Sequence, residues 1–213
     1  MNLKQLIQLL CMVGAIALVG CNVSAKDTPI SPSLKPAVKP AVEPTAAPNS
    51  AMSTAEKAVL NNLLSNSKKL GLCRDYLDLE AAKRASEVYK LENQQYFVMF
   101  HCFLAAYQGN YEFLIVNQQP AAKKPVTKLT VTEFRENQAG KVQKVGSLSI
   151  GGLPTYDPKQ RVLAVNSKYR GLGDCGSKAK YRVENTALKL LEFKAKFACD
   201  GKLEPFQTLY SAK

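Results

Sequence analysis

Apolar and charged residues alternate along 191–199. Leu191, Phe193, Ala195, Phe197 and Cys199 hold the odd positions, and Glu192, Lys194 and Lys196 the even ones. A period of two marks a strand with one face on a core and the other in water. It points Cys199 inward, toward Cys175 in the glycine-rich turn 171–177. A different pattern occupies 96–104. Tyr96, Val98, Phe100 and Cys102 share one face, while Phe97, Met99, His101 and Phe103 share the other. Both faces are apolar, which predicts a central strand covered on both sides.

Segments 87–91 and 111–116 flank that strand across polar turns at 92–95 and 108–110. Further strands are predicted over 127–134, 141–150, 161–166, 179–183 and 206–210, with turns at 137–140, 153–158 and 184–186. Ahead of them, Ser53 and Glu56 match a capping box, Val59, Leu60, Leu63 and Leu64 form a helical stripe, and Gly71 offers a stop. Residues 75–86 fit one or two helical turns. The expected fold is mainly β, α+β at the N-terminus: an antiparallel meander of about eight short strands with one N-terminal helix and two disulfides.

The first residues read differently. Lys4 precedes an apolar run over 6–19, shorter than the roughly 20 residues a spanning helix needs. It closes in Leu18-Val19-Gly20-Cys21, which resembles the bacterial lipobox; the competing reading is a signal peptide cut after Ala25. The resemblance implies that Cys21 is acylated and becomes the first mature residue. Asn22 behind it implies, by likeness to enterobacterial lipoproteins, the periplasmic face of the outer membrane. Prolines at 32, 36, 40, 44 and 48 follow among Ala, Lys and Ser, a composition suited to an extended spacer. The organisation expected is a leader over 1–20, a lipidated tether over 21–52 and one domain over 53–213.

Four cysteines remain for that domain: Cys73, Cys102, Cys175 and Cys199. In an exported protein an even number reads as two disulfides, with three possible connectivities. Cys73–Cys102 and Cys175–Cys199 are favoured because each pair brackets one compact block. A zinc site is disfavoured, since there is no C-x-x-C and His101 is the only histidine.

Charge adds a further clue. Of the formal +12, Lys4 belongs to the leader and the tether holds three lysines against Asp27 and Glu43, which leaves +10 on 53–213. Lys178, Arg182, Lys189, Lys194 and Lys196 fall on outward positions of the late strands and are the candidate binding residues. Such a face attracts polyanions, so the expected partners are the lipid bilayer through Cys21 and an anionic envelope polymer or acidic protein. Export argues against nucleic acid.

Catalytic signals are weak. Residues 171–178 approach a phosphate-binding loop, but Ser177 and Lys178 stand in the wrong order and a cysteine sits inside the turn. Glycines serving a tight turn explain it better. His101 has no evident acid or nucleophile beside it in sequence. Asp157 and Asp174 are expected to bond backbone amides of their own turns. No metal or cofactor is expected.

The blocks Cys102-Phe-Leu-Ala-Ala-Tyr-Gln-Gly-Asn, Arg170-Gly-Leu-Gly-Asp-Cys-Gly-Ser and Cys199-Asp-Gly with Leu209-Tyr resemble the exported bacterial family of domain of unknown function 1176, over roughly 70–210. The likeness departs at Gln108, where the family usually has Asn. It implies an envelope location, supports the cysteine pairing and brings no activity. Tyr156-Asp157-Pro-Lys-Gln-Arg161-Val-Leu163 is similar to a turn-then-strand unit of propeller-like periplasmic lysozyme inhibitors. The expected function is a non-enzymatic binding module of the envelope; the alternatives are an envelope hydrolase or an inhibitor of a lysozyme-like hydrolase.

Overall fold

The computed structural model describes residues 52–120, 122 and 124–213. The expected leader, the expected lipidation site Cys21 and the proline-rich stretch, apart from Met52, lie outside these residues. Among the described residues no helix is long and apolar enough to cross a membrane.

Helix α1 (Thr54–Ser65) starts at the expected capping box. The Ser53 side chain accepts from the Glu56 amide, and the Glu56 carboxylate accepts from the Ser53 amide. It ends at Ser65, short of Gly71, because Asn66 caps it and the chain then turns. A second helix, α2 (Leu79–Ala85), resolves the open segment. Asp78 caps it by accepting from the Ala81 amide at 3.0 Å.

Eleven strands follow: β1 (Glu87–Lys90), β2 (Gln95–Leu104), β3 (Gly109–Asn117), β4 (Val126–Leu129), β5 (Val131–Glu136), β6 (Val142–Ser147), β7 (Ser149–Asp157), β8 (Val162–Lys168), β9 (Gly176–Val183), β10 (Leu188–Lys196) and β11 (Gln207–Ser211). The main sheet runs β1–β2–β3–β7–β8–β9–β10–β11, antiparallel at every pairing, and β4 also pairs with β3. β5 and β6 form a separate ribbon. The predicted strand 127–134 therefore divides at Thr130, where the chain leaves the sheet for the ribbon, and 141–150 divides at Leu148. The turn expected over 153–158 is largely strand. Pro154 is tolerated there because β7 has by then left β3 and is paired with β8 alone.

The sheet curls so that both halves feed one core. Phe97, Met99 and Phe113 from β2 and β3 belong to the same buried cluster as Leu163, Tyr181 and Phe193 from β8 to β10. The ribbon closes this core: the Phe134 ring lies 5.2 Å from that of Phe193, and the Tyr181 hydroxyl donates to the Thr132 carbonyl at 2.8 Å. On the opposite face of β2 and β3, Val98, Phe100 and Leu114 meet Val59, Leu60 and Leu63 of α1. The two apolar faces of β2 thus serve two cores.

β10 departs from strict alternation. A bulge at Leu191 shifts its register against β9, so Leu188 and Leu190 are buried before it, and Phe193 and Ala195 after it. Leu191 is not an inward residue. Cys199 lies beyond the end of the strand and is exposed, yet it still reaches buried Cys175. Both predicted disulfides form, Cys73–Cys102 with Cα atoms 5.4 Å apart and Cys175–Cys199 with 5.0 Å.

Candidate functional site

The alternation of β9 is regular, and it fixes the candidate surface. Ala179, Tyr181 and Val183 point into the core, so Lys178, Lys180 and Arg182 must point out, and all three are exposed. The register then sets their neighbours on β10: Lys178 opposes Lys194, Lys180 opposes Glu192, and Arg182 opposes Lys189. On the β8 side their partners are the uncharged Asn166, Ala164 and Val162. Like charges directly opposite on a sheet are destabilising, and this face holds two such pairs.

Glu192 is the only acid in the middle of the face. It lies 3.1 Å from the Lys194 ammonium and 3.9 Å from that of Lys180. Asp157, at the corner, accepts from the amides of Lys159 and Gln160. The Lys178 ammonium stands 5.2 Å over the Phe206 ring. Lys196 is different. Its side chain is only 10 % exposed, and Nζ donates to Asp200 Oδ1 at 2.7 Å and the Lys202 carbonyl at 2.6 Å, with Glu204 3.7 Å away. The bond to Asp200 raises its pKa further. Lys196 is thus a clamp on the 200–204 loop, and Lys180, which sequence reading passed over, replaces it on the open face. Its place in the β9 alternation was the available signal. The face is chemically a cation array, suited to holding anions.

The glycine-rich turn is a structural device. Asp174 is buried; Arg170 Nε donates to Oδ1 at 2.7 Å, Arg170 Nη2 to Oδ2 at 2.5 Å, and the Gly201 amide to Oδ2 at 2.7 Å. The Arg170 bonds, aided by the Gly201 amide, hold its carboxyl well below the usual carboxylate range. Asp174 therefore joins both ends of the Cys175–Cys199 loop and does more than cap its own turn.

Two other sites carry chemically suggestive groups. His101 is buried with its ring 4.9 Å from that of Tyr111, and Nδ1 has no hydrogen-bond partner. Burial lowers its pKa, against an opposing charge effect from Asp78. No hydrogen bond joins its ring to a carboxylate among the described residues. Cys73, Cys102 and Glu112 bring potential metal-ligand atoms within 4.8 Å of one another, but both sulfurs belong to the disulfide. Glu112 instead accepts from the Cys73 amide at 3.0 Å and faces Lys128 at 3.3 Å, fixing a Cys73 backbone that sits at φ +57°.

A family model described as a protein of unknown function, DUF1176, matches residues 13–213. Over 124 residues the chain is 27% identical to the uncharacterized protein YpfG of Escherichia coli (strain K12), covering 58% of this chain and 33% of that protein. The match thus spans about a third of that relative's length. No solved structure matches.

Proposed function

This chain belongs to the DUF1176 family, proteins of unknown function, and we propose that it is a non-enzymatic binding module of the bacterial cell envelope. The observation that carries this reading is the open face of β9 and β10. Five cations, Lys178, Lys180, Arg182, Lys189 and Lys194, share it with the single acid Glu192. The lipobox at Cys21 supports an anchor in the outer membrane, facing the periplasm. There the abundant anions are phosphates and carboxylates of envelope polymers, and such a polymer is the proposed partner. His101 is buried, and among the described residues no carboxylate is bonded to its ring, which supports binding rather than hydrolysis.

Changing Lys178, Arg182 and Lys189 together to Glu tests the reading. These side chains face water, so the fold should survive. Sedimentation of the purified protein with lipopolysaccharide or peptidoglycan at 0.1 M salt should weaken at least about threefold, given about 0.2–1 kcal/mol for each of the three exposed charge contacts. Wild-type binding should itself fade at 1 M salt, where the Debye length falls from about 10 Å to about 3 Å. A folded triple variant that binds as well as wild type at both salts would show that the lysines serve solubility alone.

A further inference from the structure

At one end of this face, two tight turns stand side by side. The β7–β8 turn carries Lys159 and Arg161, and the β9–β10 turn carries Glu184, Asn185 and Thr186. Together with Arg182 they line an open cleft of about 600 Å³. The turns are locked to one another: the Val183 amide donates to the Arg161 carbonyl at 2.8 Å, and Arg161 Nη2 donates to Asn185 Oδ1 at 3.0 Å. Deeper in, Arg161 Nε and the Tyr156 hydroxyl are both buried without an aligned hydrogen-bond partner. Arg161 thus has the Tyr156 hydroxyl as its inner neighbour, interacting with it though not in full hydrogen-bond alignment, and Asn185 on its outer side, while the residue still borders the cleft.

We propose that this cleft is a seat for a phosphate monoester group, with Arg161 as the central recognition residue and Lys159 and Arg182 on either side. This rests on reading the basic face as a binding surface, and it assigns that face a defined receptor position. Charge selects the ligand class. Three cations against Glu184 leave a local surplus of two, which a monoester carrying about −1.5 to −2 at neutral pH matches. A carboxylate would leave half of it uncompensated. Geometry points the same way: the planar guanidinium fork suits two oxygens of a tetrahedral phosphate, and an ammonium cannot reproduce this. The β9 lysines farther along the face would then contact whatever carries the phosphate.

Titration of the isotopically labelled protein with inorganic phosphate, at ionic strength held constant with chloride, tests the seat by amide chemical shifts. Saturable shifts are expected at Lys159–Arg161 and Asn185–Thr186, with weaker shifts for acetate at equal concentration. Arg161→Lys keeps the charge and should weaken phosphate binding about tenfold, the scale of one charge-assisted hydrogen bond. Lys159→Ala, in an exposed turn, gives a second reduction without touching the Arg161 side chain. Lys57→Glu with Lys83→Glu, exposed on α1 and α2 and outside the basic face, should leave the seat intact. Glucose 1-phosphate in solution and phosphatidic acid in phosphatidylcholine vesicles, each competed by inorganic phosphate, then tell a soluble ester from a lipid headgroup. Shifts spread evenly over all lysines, or no saturation, would overturn the seat. A saturable seat without polymer sedimentation would leave it standing and remove the polymer-binding reading instead.

Discussion

A Cβ on Gly176 would overlap the carbonyl oxygen of Ser167, and its φ of +156° lies where side chains are rarely found. The residue sits between Cys175 and the first inward residues of β9, where β8 passes close by. Its role is close backbone approach, which is why the turn imitates a phosphate loop without being one. His101 is constrained in a comparable way: a Cβ on Gly109 would stand 2.7 Å from its ring. As the only histidine, it makes a clean probe of pH. Burial lowers its folded pKa below the ordinary 6.5. Above pH 6.5 the imidazole is neutral in both states and its full contribution is present. As pH falls below that value, the unfolded chain takes the proton first, and stability is lost down to the folded pKa. The urea concentration needed for unfolding should therefore fall as pH drops below 6.5, with at most about 1.4 kcal/mol per pH unit from this group. His101→Leu should flatten that slope, whatever it does to absolute stability. An unchanged slope in the variant would mean the imidazole is not desolvated.

At the scale of elements, the sequence was most legible where pattern and burial coincide. The two-faced apolar run of β2 and the alternation of β9 predicted both cores and the outward lysines. What escaped it depended on register. The Leu191 bulge cannot be seen in a run that alternates on either side of it, because only pairing with β9 shows which residue is extra. Lys196 looked like its outward neighbours, and only the return of the 200–204 loop commits its ammonium. The expected helix runs on toward Gly71, a good stop, whereas Asn66 ends it earlier through local caps. Arg161, the centre of the proposed seat, carries no such signal in the sequence, because its cleft forms only where two distant turns meet. The disulfides, by contrast, followed from compact blocks. Each closes a loop of similar size, 29 and 24 residues in separation. Loop-closure entropy assigns about 3.5 kcal/mol to each. Replacing Cys73 and Cys102 together by Ala should lower the unfolding free energy by about that amount in denaturant titration. A loss under about 1 kcal/mol would mean that the Glu112 contact to the Cys73 amide already fixes the turn in the reduced chain.

For the whole molecule, the central question is how the basic domain and the chain before it work together. Residues 53–213 carry most of the +12 formal charge, and the open face of β9 and β10 concentrates five of the cations. Attraction of this kind is long-ranged but weak in physiological salt. An anchor changes its consequences, because a tethered domain meets surface polymers at high effective concentration without any new contact. The Leu18-Val19-Gly20-Cys21 sequence proposes such an anchor. One acyl chain gives only marginal membrane residence, and stable attachment takes further chains or a basic patch; this protein would combine acylation with the basic face. Cells fed a fatty-acid analogue should label the wild-type protein and leave Cys21→Ser unlabelled and in the soluble fraction. The purified Cys21→Ser domain should still sediment with polymer as strongly as the unmodified wild-type domain, because residue 21 lies outside the proposed binding face. Wild-type protein that takes up no label would remove the anchor and leave the charged face to act alone. A Cys21→Ser variant that still fractionates with membranes would assign attachment to the face itself.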